Sequence, residues 1–270
     1  MVQHEYVHGY SDREKSRLRD QADTLATLLH HDSCYPPGST VLEAGCGVGA
    51  QTVHLARHSP QARITSIDIS PASLEKARRL AEEERITNVQ FQRADLFALP
   101  FGEGSFDHVF VCFVLEHLKE PVAALKKLRN VLKPGGTITV IEGDHGSTFF
   151  YPESGAAMEA VRCLVEVQGR MGGNALIGRQ LYPLLQGAGF QDVQVTPRMV
   201  YVDGSKPSWI EGFTKNTFTA MVEGVREQAL GMKLIQPERW NQGIAGLRRT
   251  AESDGVFCYT FFKGGGLKLG

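Results

Sequence analysis

Glu43 stands two residues ahead of Gly45-Cys46-Gly47-Val48-Gly49, and the apolar pair Val41-Leu42 leads into it. Glycines at alternate positions leave the backbone bare. A ligand can then approach main-chain N–H groups that side chains would screen, and the chain can take turn conformations closed to other residues. Two further carboxylates, Asp68 and Asp95, close later short runs. A carboxylate at such a position can accept hydrogen bonds from vicinal hydroxyls or from an exocyclic amine. The chemistry offered is the capture of a nucleotide-like ligand.

Those residues need a scaffold that delivers them to one edge. The pattern supplies it. Ser11 to Glu14 reads as a capping box, and Leu18, Ala22, Leu25 and Leu29 follow at helical spacing. From Thr40 onward strands and helices alternate. Strands are expected over Thr40–Ala44, Arg63–Ile67, Val89–Gln92, His108–Val114 and Thr137–Glu142. Helices are expected near Ala50–His58, after Ser70-Pro71, and over Pro121–Leu132 before the breaker Lys133-Pro134-Gly135-Gly136. Alternation of this kind implies a parallel sheet covered on both faces. Further on, helices are expected near Glu153–Met171, Gly178–Gln186, Ser208–Leu230 and Pro237–Ala251. Strands are expected at Val193–Val195 and Gly255–Lys263, with Gly264–Gly270 as a loose tail.

Bulk properties narrow the class. The chain has 270 residues, 42% hydrophobic and 22% charged, with a net charge of -1. That is an ordinary globular composition and lacks the basic surplus of a broad nucleic-acid footprint. The five cysteines form no CxxC pair, and the number is odd, which points to reduced, cytoplasmic usage. Met1 to Ser11 is polar and lacks the apolar core of a signal peptide. No run is long and apolar enough to span a bilayer.

Gly45-x-Gly47-x-x-Ala50 fits the dinucleotide fingerprint, and Asp68 suits the ribose of NAD or of another adenosine cofactor. Three features separate these readings. Ala94-Asp95-Leu96 closes the third strand, Ser105-Phe106-Asp107-His108-Val109 opens the fourth, and Leu132-Lys133-Pro134-Gly135-Gly136 leads into the fifth. In order and spacing the chain resembles the class I S-adenosylmethionine-dependent methyltransferases, most closely the ubiquinone/menaquinone-biosynthesis group of small-molecule enzymes. The resemblance runs from Thr40 to about Glu142. It continues weakly through Leu184 to Phe190.

The resemblance implies a doubly wound, Rossmann-like α/β fold: a seven-stranded, mostly parallel sheet with an antiparallel last strand, an N-terminal helix and a helical cap insert. Residues 1–39 would form a lid, 40–200 with 254–264 the core, and 201–253 the cap over the acceptor. It also implies roles. Glu43 would hold the methionine ammonium. Gly45, Cys46, Gly47 and Gly49 would line methionine and ribose. Asp68 would take the ribose hydroxyls, and Ile69 would pack on adenine. Asp95 and Leu96 would read the adenine edge. Cys112 or Phe113 would face the sulfonium, with Gln51 and Tyr10 closing over the methionine end.

S-adenosylmethionine carries an activated methyl, and its product is S-adenosylhomocysteine. A base is needed only when the acceptor must lose a proton. Glu116, His117 and His145 follow strands four and five, and the two histidines are the catalytic candidates. Glu142, Asp144 and His145 match no trusted metal spacing. Trp209, Phe213, Phe218, Met221, Met232, Tyr10 and Phe149 to Tyr151 suit a hydrophobic or ring-bearing small-molecule acceptor, or else simply bury the cap helices. Two other functions share the cradle: an NAD-dependent oxidoreductase and a non-catalytic S-adenosylmethionine-binding module. The first would need a hydride-transfer pair, and none is found. The acceptor and the oligomeric state are left open.

Overall fold

The computed structural model describes residues 24–270. The expected capping box and Tyr10 lie outside them. Residues 24–30 are helical (α1). The alternating pattern then folds as read: β1 Thr40–Ala44, α2 Ala50–His58, β2 Arg63–Asp68, α3 Pro71–Glu83, β3 Val89–Arg93, β4 Phe106–Cys112 and α4 Pro121–Val131. Ser70 caps α3, its hydroxyl accepting the Ser73 N–H, with Pro71 in the first turn.

The sheet order is β3-β2-β1-β4, followed by β5 Leu132–Tyr151, β7 Val256–Leu267 and β6 Gln191–Val202. β1 pairs in parallel with β2 and β4, β2 with β3, and β4 with β5. β7 runs the other way against β5. The Gly135 N–H donates to the Lys268 carbonyl and the Lys268 N–H to the Gly136 carbonyl, while the Thr260 N–H donates to the Ser147 hydroxyl, so one strand ascends as the other descends.

The chain divides into two compact units. One comprises Ala26–Glu142, Ile177–Arg198 and Phe262–Gly270. Its core is the two-sided burial of the central strands. Leu42, Val109, Val111 and Val140 pack with Leu125 and Leu128 of α4 and with Leu181 and Leu185 of α6 (Leu181–Gly187). Asp107 clamps the strand starts. Its Oδ2 accepts the Thr40 N–H and hydroxyl, and its Oδ1 meets Lys133 Nζ at 2.7 Å. Lys133 and Thr40 hold its carboxyl well below the usual range.

The other unit comprises Gly143–Leu176 and Met199–Phe261, with residues 24–25. Here α5 (Gly155–Arg170) packs on α10 (Pro237–Arg249), the close approach admitted by Gly243 against Ala156 and Ala160. Between them in sequence come α7 Pro207–Trp209, a π-helix over Ile210–Thr219, α8 Ala220–Gly224 and α9 Arg226–Gly231. Phe213 and Phe218, five residues apart and so on one face of the π-helix, both pack on Phe257 and Tyr259.

Three expectations need correcting. β4 ends at Cys112, because Phe113 has a φ of +57° and cannot continue a strand. Lys133-Pro134-Gly135-Gly136 ends α4 but lies inside β5, which runs on to Tyr151. The tail is not loose: β7 reaches Leu267, and the buried Lys268 sends Nζ to the carbonyls of Asn130 and Leu132.

Candidate functional site

Three parallel strands deliver their carboxyl ends to one edge, where open α/β sheets receive ligands. β1 ends in Glu43-Ala44, and the next residues turn back on β2: the N–H groups of Gly45 and Cys46 both donate to the Ile67 carbonyl, at 2.8 and 2.9 Å. Gly45, Gly47 and Gly49 all have positive φ, and Gly49 is the N-cap of α2. A Cβ on Gly45 would stand 2.5 Å from Val114, and one on Gly49 would stand 3.0 Å from Ala77. A Cβ on Gly47 would meet nothing within 4 Å. The outer two glycines serve packing. The middle one faces open space, as a backbone cradle requires.

Glu43 is buried. Its Oε2 accepts from Thr52 Oγ1 at 2.7 Å and Ser66 Oγ at 2.6 Å. Burial pushes its carboxyl up to about 7, against the pull of those two hydroxyls, and the neighbouring Asp68 adds to the rise. Asp68 accepts the Gly47 N–H and, with its other oxygen, the Ser70 N–H. It therefore ties the glycine bend to the start of α3. Next to it Ile69 is 52% exposed, an aliphatic side chain with a face open for a flat ring. The Ala94 N–H donates to the Asp68 carbonyl, which brings the end of β3 alongside. There Asp95 Oδ1 accepts the Phe97 N–H, and Leu96 packs on the core.

Gln51, on the first turn of α2, has its Oε1 2.6 Å from His30 Nε2. That bond makes His30 the donor and leaves the Gln51 amide nitrogen as a donor for another partner. Burial lowers the His30 imidazole to about 4, so the ring is neutral at physiological pH. Cys112 and Cys46 are both buried, and burial pushes their thiols up, away from nucleophilic chemistry.

His117 ends a short 3₁₀ turn, Leu115–His117, with Nε2 3.6 Å from the Glu116 carboxylate. His145 belongs to the other unit. It is buried, its Nδ1 lies 2.8 Å from the Tyr259 hydroxyl, and Phe218 meets its ring edge-on. Among the described residues no three or more His, Cys, Asp or Glu side chains stand together as a metal site.

The structure thus brings Glu43, Gly45, Cys46, Gly47, Gly49, Gln51, Asp68, Ile69, Asp95, Leu96, Cys112 and Phe113 into one unit, at and after the strand ends. Tyr10 lies outside the described residues. Thr52, Ser66 and His30 were not foreseen. The first two are ordinary polar residues of a helix and a strand. Only the fold shows that they face a buried carboxylate.

The strand order, the reversal of β7 against β5 and the glycine bend after β1 make a Rossmann-like α/β fold. Residues 41–136 match the methyltransferase domain family. Among curated relatives, the demethylmenaquinone methyltransferase of Lactococcus lactis is 33% identical over 43% of this chain and 47% of that protein. The 27-O-demethylrifamycin SV methyltransferase of Amycolatopsis mediterranei is 29% identical over 83% of this chain and 76% of its own length. Among solved structures, a Haemonchus contortus phosphoethanolamine N-methyltransferase in complex with S-adenosylhomocysteine superposes with a TM-score of 0.58. It is 16% identical and covers 96% of this chain and 58% of that one. At that identity the likeness is one of fold. The chain spans about half the length of the first curated relatives it matches.

Proposed function

We propose that the protein transfers a methyl group from S-adenosylmethionine to a small-molecule acceptor, hydrophobic or aromatic in character. The observation that carries this reading is the joint presentation of Glu43, the bare Gly47 backbone, Asp68, Ile69 and Asp95 at the ends of β1, β2 and β3. An adenosyl amino acid has an ammonium, a ribose diol and an adenine edge, and these residues offer a partner to each. Asp68 would take the ribose hydroxyls, Ile69 the adenine face, and Asp95 with Leu96 the adenine edge. Glu43 would take the ammonium, directly or through water, and Gln51 and Tyr10 would close over that end.

S-adenosylmethionine supplies a methyl carbon already activated by its positive sulfur. The residues of this chain then have to bind, orient and exclude water. As the acceptor's nucleophile bonds to that carbon, the carbon–sulfur pair returns to sulfur. Holding the two in line contributes about 7–11 kcal/mol of barrier reduction. Cys112 or Phe113 would border the sulfonium. For an acceptor that must lose a proton, His117 and His145 are the proposed bases. Residues 1–39 are proposed as a lid and residues 201–253 as the source of the acceptor-binding surface. Phe213 and Phe218 are spent on packing against Phe257 and Tyr259, so within that segment the half-buried Trp209, Met221 and Met232 would supply the apolar surface for a ring-bearing acceptor. Among the described residues no helix is long and apolar enough to cross a membrane. With the free cysteines, a cytoplasmic site of action is part of the proposal, as is a role without nucleic acid.

The test is incubation of the purified chain with methyl-labelled S-adenosylmethionine and a small-metabolite extract, followed by mass analysis. A labelled product heavier by one methylene is expected. Binding of S-adenosylhomocysteine without any labelled product would favour a non-catalytic module.

A further inference from the structure

Glu142 closes the apolar run of β5 as Glu43 closes that of β1, yet it serves a different partner. It is fully buried. Its Oε1 accepts two successive N–H groups, Val114 at 2.9 Å and Leu115 at 2.7 Å. These are the first amides of the turn that follows β4, and the Glu116 N–H of the same turn also acts on this carboxyl. Successive N–H groups converging on one oxygen form a small anion-binding nest.

The segment it holds is constrained on both sides. Phe113, just before it, has a φ of +57°, a left-handed conformation unfavourable for a residue with a Cβ. The Phe113 N–H is fixed to the Ile141 carbonyl at 2.9 Å. Val114, just inside it, packs where a Cβ on Gly45 would go, so the same segment leans on the first glycine of the cradle.

We propose that Glu142 is a positioning residue of the cofactor site: by holding the Val114 and Leu115 amides it fixes Phe113 and Val114 against the methionine end of the cradle. The inference rests on the reading that this cradle takes S-adenosylmethionine, and it adds the residue that sets one wall of it. Burial and the nearby Glu116 push the Glu142 carboxyl well above the usual range, while the backbone N–H groups pull it back. In either protonation state Oε1 accepts from the two amides, and a glutamine keeps that carbonyl acceptor.

The experiment compares E142Q and E142M with the wild-type chain, using two probes measured by calorimetry. S-adenosylhomocysteine reaches the methionine end, and 5′-methylthioadenosine lacks the amino-acid portion. In E142M the preference for S-adenosylhomocysteine over methylthioadenosine should fall at least fivefold, with methylthioadenosine affinity within twofold of wild type. E142Q should keep the wild-type preference. Equal weakening of both probes, no change in either, or a loss in E142Q matching that in E142M would overturn the proposal. Amide exchange judges the hold itself. Val114 and Leu115 should be strongly protected in the wild type and in E142Q, and unprotected amides in the wild type would overturn the assignment even if E142M fails to fold. If the wild type binds neither probe, the functional reading fails, and the exchange data still decide what Glu142 holds.

Discussion

Asp68 closes the glycine bend on its own strand end: its Oδ2 accepts the Gly47 N–H at 2.8 Å while its Oδ1 accepts the Ser70 N–H at 2.8 Å. A carboxylate has about four lone-pair sites. Two are used by the backbone, which leaves room for the two hydroxyls of a ribose. The same side chain would therefore shape the bend and read the ligand. Asp68→Ala removes both functions, and S-adenosylhomocysteine affinity should fall more than tenfold by calorimetry, since charge-assisted bonds are lost. Unchanged affinity would remove Asp68 from the site.

Glu43 predicts a pH dependence. Its carboxyl sits at about 7 in the fold, above the ordinary carboxylate value, because it is buried. A raised acid stabilises the unliganded fold fully below the unfolded value, and that contribution is lost as pH rises through 7. An ammonium-bearing ligand prefers the ionised form. S-adenosylhomocysteine should thus bind roughly tenfold tighter at pH 8 than at pH 6, with proton release on binding near neutrality. Calorimetry in buffers of different ionisation enthalpy measures both. A flat profile would show that Glu43 does not meet the ammonium.

The glycines should differ in cost. Gly45→Ala combines a φ of +79° with a clash on Val114, and should destabilise by about 2–4 kcal/mol. Gly47→Ala meets no neighbour and carries only the φ penalty, about 1–2 kcal/mol. Urea melts of the two variants rank them. The reverse order would mean that the bend is not packed as described.

Deleting residues 265–270 tests the end of β7. It removes the Gly135–Lys268 and Lys268–Gly136 backbone bonds and both Nζ bonds of Lys268. At about 1 kcal/mol per bond the loss is about 3–4 kcal/mol, read from the same melts. Wild-type stability after truncation would restore the loose-tail reading.

Most of the positioning scaffold was legible in the sequence because its signals are local. Ser70-Pro71 starts a helix, and apolar runs ending in Glu43 and Asp68 mark strand ends. The glycine spacing carried the cradle. What stayed hidden depends on long-range pairing. Lys133 to Gly136 looks like a breaker, yet it is drawn into β5 beside Lys268. Gly264 to Gly266 lacks side chains to signal a strand, yet Gly266 lies against Phe190, where only a bare backbone fits. Glu142 was visible only as a possible metal ligand, because its partners are backbone amides 27 and 28 positions away. His145 was visible as a loop histidine. Its tie to Tyr259 spans 114 positions and has no local trace.

The central claim is that the bend after β1 takes an adenosyl amino acid rather than a nicotinamide. Titrating the purified chain with S-adenosylhomocysteine and, separately, with NADH tests it most directly. Saturable one-to-one binding of S-adenosylhomocysteine at about micromolar affinity, roughly −8 kcal/mol, with no heat from NADH, is the result expected. Saturable binding of NADH with none of S-adenosylhomocysteine would contradict it.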